Sequence, residues 1–257
     1  MRVWVGTSGF SYLPWRGSFY PEKLPAADML AFYAQQLPTV EINNTFYRMP
    51  SATLLEHWSA ATPADFIFAL KCNRRITHEL RLRDVESAVE RFAKGAVSLG
   101  SKLGPVLFQL PPWLHKDLER LDAFLAVLAQ VGQGIRPAFE FRHASWFSDD
   151  VYASLRAAGA ALCIAEAEKL ETPLQATTSW GYLRLRREDY TPATLDAWAS
   201  RIAEQPWNEV YVFVKHETAE APGLARRLLD AFAVSSLTYG GAKVQTNLRP
   251  TDFPSLP

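Results

Sequence analysis

The stretch TVEINNTFYR, residues 39–48, begins as a strand and ends as something else. Val40 and Ile42 alternate as one face of a half-buried β-strand does, with Glu41 between them, and Asn43, Asn44 and Thr45 follow at once. Either the acid lies on a solvated face, or the strand ends in a polar pocket. The rest of the chain separates these two readings.

Runs rich in β-branched and aromatic residues recur at 3–5, 39–42, 66–70, 106–109, 138–141, 161–165, 182–185 and 210–214. Helical spacing fills the intervals. Met29, Leu30, Phe32 and Tyr33 fall on one helix face; Val85, Val89, Phe92, Ala96 and Leu99 line another. A helix from Asp117 has that residue as N-cap, and one from Thr191 has Pro192 at its first position. Further helices are predicted after Ser148 and after Pro222. Strand and helix alternating about eight times predict an α/β fold, a (β/α)8 TIM barrel in a single domain. The doubly wound sheet is the competitor, but GTSGFSY after the first strand is not the G-x-G-x-x-G phosphate turn. The barrel domain is expected to span 1–232. The tail, 233–257, has little periodicity and is expected to be loosely attached.

Composition excludes several classes. The 257 residues carry 27 Lys and Arg against 27 Asp and Glu, and that balance advertises neither a nucleic-acid nor a membrane partner. No apolar run is long enough to span a bilayer, and MRVWVGTSG enters a strand without a signal-peptide core, so a cytoplasmic location is expected. The 2 cysteines, Cys72 and Cys163, stand far apart and read as buried thiols. The oligomeric state is not legible.

In a barrel, the carboxyl ends of the strands and their loops form the active face. Here those ends turn polar together: Thr7 and Ser8; Glu41, Asn43 and Thr45; Lys71, with Arg74, Arg75, Thr77 and His78 after it; Gln109; Glu140, Arg142 and His143; Glu166; Arg184 and Arg186; Lys215, His216 and Glu217. Glu41 thus reads as one wall of a shared pocket. Glu41 and Asn43 share a parity, as do Glu140 and Arg142, and Arg184 and Arg186. A purely structural ion pair, Glu41 with Lys71, is the alternative for these residues.

The motifs GTSGFSYLPWRGSFYP, VEINNTFYRMP, KCNRRITH, VLFQLPP and FEFRHASW resemble, in order and spacing, those of the YecE-like proteins, which carry domain of unknown function 72. The resemblance covers residues 2–232 and implies a TIM barrel; it brings no settled reaction. It departs at LRLRRED, where many members have Arg-x-His-Gly, and at FVKHE, where many have Asn-Asn. A distant likeness of that group to apurinic-endonuclease barrels suggests metal-assisted phosphodiester hydrolysis, which is analogy of fold alone.

The residue types favour metal-free acid–base chemistry, in the hydrolase or isomerase class, on a small anionic molecule. Glu41 and Glu140 are the catalytic candidates, their pKa values pushed apart so that one stays protonated, with His143 or His216 as a second proton carrier. Lys71, Arg142, Arg184, Arg186 and Lys215 are expected to hold a phosphate or carboxylate, with Asn43 beside them. Lys71 also sits where a Schiff-base lysine can sit. Trp15 is the candidate for stacking a sugar or base over the mouth; the alternative is that its loop plugs the barrel. No cofactor is assigned. A metal is the less favoured reading: Glu41, Glu140, Glu166, His143 and His216 are suitable ligand types on different strands, but of the 5 histidines His57 and His115 fall in helix-side segments, too few remaining for a multi-zinc cluster. Non-catalytic binding of nucleic acid or a partner is the competing function.

Overall fold

The computed structural model of the chain describes residues 1–166, 170–215, 219–238 and 245–246, with the backbone alone for 234–238 and 245–246. Eight parallel strands form its centre: β1 (Arg2–Ser8), β2 (Thr39–Ile42), β3 (Ile67–Lys71), β4 (Leu103–Gln109), β5 (Pro137–Glu140), β6 (Ala161–Glu166), β7 (Trp180–Leu185) and β8 (Glu209–Val214). Each pairs with its successor, and β1 pairs with both β8 and β2, so the sheet closes. A two-residue β9 (Gln245–Thr246) pairs with Arg2 and Val3.

The closing seam is short, running from Gly6 opposite Thr39 to Ser8 opposite Glu41. Gly6 is required there, because a Cβ would lie 2.0 Å from the Thr39 carbonyl oxygen. Tyr33 reinforces the seam: its hydroxyl accepts the Thr7 N–H at 2.9 Å and donates to the Thr39 carbonyl at 2.9 Å.

Around the barrel lie α1 (Met29–Gln36), α2 (Ala52–Ala60), α3 (Glu86–Ala96), α4 (Leu118–Val131), α5 (Asp149–Ala157), α6 (Pro192–Ala203) and α7 (Ala221–Thr238). The expected caps form. The Asp117 carboxylate accepts the Arg120 N–H at 3.0 Å, and Thr191 and Thr194 make a reciprocal capping box before α6. Helix α2 has a Ser51 cap but buries only Leu55 fully, which leaves little periodicity to read.

One interval departs from the expected alternation. Among its described residues, the connection from β6 to β7 contains no helix. It is pinned to the barrel by the Thr177 hydroxyl, which accepts the Leu162 N–H and donates to the Ala160 carbonyl, both at 2.8 Å. These side-chain bonds take over pairing that a helix would supply internally. The expected domain boundary at 232–233 falls inside α7, and residues 239–244 and 247–257 lie outside the described residues.

Strand alternation divides the core in two. Residues facing outward, among them Val5, Val40, Phe68, Phe108, Leu183 and Val212, pack against the helices. Residues facing inward fill the barrel with Trp4, Ala69, Leu107, Ala138, Cys163, Tyr182, Tyr211 and Phe213, and Trp4 stacks on Tyr211 at 4.8 Å. This apolar filling closes the barrel from below. Two residues further along β3, β4, β5 and β7, the same inward face becomes Lys71, Gln109, Glu140 and Arg184. Both cysteines are buried and free. No helix of the described residues is long and apolar enough to cross a membrane.

Candidate active site at the carboxyl end of the barrel

The polar layer is organised by Arg184, a guanidinium that is 2% exposed. Its Nη2 donates to Glu41 Oε1 at 2.8 Å and its Nη1 to Glu140 Oε2 at 2.6 Å. Glu41 also accepts from Ser8 Oγ at 2.8 Å and from the Tyr182 hydroxyl at 2.7 Å. Gln109 Nε2 donates to Glu140 Oε1 at 2.9 Å, and Arg142 Nε lies 2.5 Å from that oxygen as an ion pair. Both carboxylates are fully buried, which is tolerable because each is paired and hydrogen-bonded.

Burial on its own would raise the Glu41 carboxyl, but Arg184, Tyr182, Ser8 and Lys71 outweigh it and hold it below the usual carboxylate range. Glu140 is likewise opposed by burial, yet Arg184, Arg142, Arg186 and the Gln109 bond bring it to about 2. Both acids are therefore ionised at neutral pH. The expectation of one ionised and one protonated carboxyl is corrected here: the single fork of Arg184 reaches both and lowers both. The ion pair to Glu41 is also made by Arg184, and not by Lys71.

Lys71 has a different role. Its Nζ donates to Gln109 Oε1 at 2.8 Å and lies 4.3 Å from the centre of the Phe46 ring. Burial and then Arg184 pull its ammonium down, Glu41 and Glu140 pull it up, and the outcome is about 8. The same Phe46 ring meets the edge of His78 at 4.9 Å. His78 Nδ1 is 2.9 Å from the Thr77 hydroxyl, and burial followed by Lys71, Arg74 and Arg142 keep the imidazole below its usual value. Arg186 is half-buried beside them, held below the ordinary arginine value by burial and then by Arg184. Among the described residues its guanidinium makes no ion pair or side-chain hydrogen bond.

Glu41, Glu140, Lys71, Arg142, Arg184 and Arg186 are thus brought together, as the strand parities imply. Asn43 leaves that series. Its backbone is helical (φ −85°, ψ −22°), so β2 ends before it and the side chain lines a cavity of about 120 Å³ with Gly9, Phe10, Tyr12 and Trp58. His143 is not brought to the carboxylates: it stacks on His115 at 3.9 Å and bonds Ser145, since it stands one residue out of phase with Arg142. Trp15 is fully buried within its own loop, against Tyr12, Phe19 and Tyr20, where no ligand can stack on it. Lys215 pairs with Glu188 at 2.9 Å. His216 lies outside the described residues. Glu166 points outward, accepting from Trp198 Nε1 at 3.0 Å and from the Tyr190 hydroxyl.

Tyr182 and Phe46 were not legible in the sequence as pocket groups, and His78 was placed at this end of the barrel without a role. Tyr182 carried a signal, the inward parity it shares with Arg184; Phe46 ends a 3-10 turn and His78 lies in a single π-helical turn, where the strand period does not apply.

The profile of a family described as "Protein of unknown function DUF72" matches residues 4–247. The chain belongs to this family. A DUF72 protein from Thermotoga maritima, solved by crystallography, is 26% identical, superposes with a TM-score of 0.78 and is covered over 99% of its length by 91% of this chain. A DUF72 protein from Enterococcus faecalis, 18% identical with a TM-score of 0.74, shares the fold over 97% of this chain and 100% of its own. UPF0759 protein YunF of Bacillus subtilis is 33% identical over 156 residues, 58% of this chain, so the match spans about half of that curated relative's length (54%). The departures from the family pattern now have positions. Arg186 faces the pocket, whereas Arg187 turns out to pair with Asp189 at 2.5 Å. Among the described residues, no three His, Cys, Asp or Glu side chains converge as a metal ligand set.

Proposed function

We propose that this DUF72 protein is an enzyme that binds a small phosphate- or carboxylate-bearing molecule at the mouth of the barrel and acts on it by proton transfer. One observation carries the reading. The two buried carboxylates are matched by Arg184 and Arg142, which leaves Lys71 and Arg186 as cations without a carboxylate partner among the described residues. An apolar floor and half-buried walls weaken screening of that surplus, so an anion is drawn in. Arginine's planar fork suits phosphate or carboxylate.

Proton transfer falls to Lys71 and His78. Both are held below their ordinary values and both pack on Phe46, while Glu41 and Glu140 are committed to Arg184. The carboxylates act as fixed counter-charges that set the positions of Arg184 and Gln109. Orthophosphate and a series of phosphorylated and carboxylated metabolites, titrated against the melting temperature at constant ionic strength, test the reading. It expects a saturable rise in the wild type that Arg186→Met abolishes. A flat response to every anion would overturn it.

A further inference from the structure

We propose that the Lys71 amine is a nucleophile, condensing with the carbonyl carbon of an anionic aldehyde or ketone held in this pocket. The inference rests on the anion site above for the substrate's charge and adds the class of its reacting group. Four features of geometry carry it. Lys71 ends β3 on its inward face, above the apolar filling and inside the ring of cations. The carboxylates nearest to it are occupied by Arg184, and among the described residues no acid makes an ion pair with Nζ. Its side-chain hydrogen-bond partner is a neutral amide: Gln109 gives its Nε2 hydrogen to Glu140, which turns Oε1 toward the amine. The Phe46 ring, its centre 4.3 Å from Nζ, covers one side of the amine. An amine at about 8 is neutral in roughly a tenth of molecules at pH 7, against roughly 0.03% for an ordinary lysine.

The step balances without a further reactant. The nitrogen lone pair forms the C–N bond, and the carbonyl oxygen takes up a proton as its π pair moves onto it. The carbinolamine then loses that oxygen as water, with the C–O electron pair and two hydrogens that were on nitrogen. The protonated imine, formed by uptake of one proton, withdraws electrons from the neighbouring carbon and so labilises a proton or a C–C bond there. Neutral His78, on the same aromatic ring, is placed to carry protons to and from that carbon.

The test treats the full chain with glycolaldehyde phosphate, reduces with sodium borohydride, and reads intact mass and the tryptic map. The expected product is one adduct per chain, of the mass of the aldehyde less water plus two hydrogens, on Lys71. Unphosphorylated glycolaldehyde should give at least tenfold less. Lys71→Arg keeps the charge, and should give no such adduct while still unfolding cooperatively in urea as the wild type does. Equal labelling of Lys71→Arg, or labelling spread over surface lysines, with the phosphate response intact, would overturn the imine and leave the anion site. No adduct together with no phosphate response in the wild type would overturn both.

Discussion

Arg184→Met removes the cation that two buried carboxylates share, and its cost follows from the geometry. Glu41 keeps only the Ser8 and Tyr182 hydroxyls; Glu140 keeps Gln109 and Arg142. Breaking a buried ion pair from one side costs about 3–5 kcal/mol, which for a chain of this size lowers the melting temperature by roughly 10 °C. The pH dependence is the sharper readout. In the wild type Glu140 is depressed from 4.5 to about 2, so it contributes roughly 3 kcal/mol that is present above pH 4.5 and lost as the pH falls toward 2. In the variant, burial dominates at Glu41 and raises its carboxyl above 4.5. The folded state then binds the proton before the unfolded state does, and the variant gains stability on acidification from pH 7 toward 5. Urea unfolding at pH 7.5, 6 and 5 therefore expects a gap between the two proteins that narrows as pH falls. A gap below about 1 kcal/mol, or one constant with pH, would refute the argument that Arg184 neutralises both acids.

Arg186→Met is expected to stabilise the unliganded protein, by about 1 kcal/mol, because burial and Arg184 both disfavour its charge in the fold; the same change removes the response to phosphate. A variant that melts lower, yet still responds, contradicts the assignment. Competitive acetylation of Lys71, followed by mass spectrometry against pH, should show a midpoint near 8, and the surface lysines near 10.4; a midpoint for Lys71 with the surface set removes it as a proton carrier. Trp15→Ala should cost about 3–5 kcal/mol in urea unfolding, since the ring is fully buried among three aromatic neighbours, and should leave phosphate affinity unchanged in the folded protein. A large loss of affinity with little loss of stability would return Trp15 to the ligand.

Much of this site was legible because strand alternation is a rigid rule. Once β2, β5 and β7 are placed, the parities of Glu41, Glu140 with Arg142, and Arg184 with Arg186 put all of them on one inner face. The rule stops where the strand does. Asn43 shares the parity of Glu41, but a turn of 3-10 helix begins at Asn44 and redirects it. His143 follows Arg142 in sequence and points elsewhere, and Trp15 sits in a loop whose aromatic residues satisfy one another. Where α2 buries one residue on its inner side and the β6–β7 connection hangs on Thr177, periodicity carries too little signal to be read.

The sequence by itself determined the barrel, the end at which its polar residues gather, and the inward face of each strand, because these depend on local periods of two and 3.6 residues. Only the tertiary structure decided which charges meet. That Arg184 takes both glutamates, that Lys71 is left to a neutral amide, and that Arg186 has no carboxylate partner among the described residues all depend on strands β2, β3, β4, β5 and β7 converging on one axis. Charge pairing acts over a few ångströms between residues as many as 143 positions apart, and no pattern along the chain records that separation.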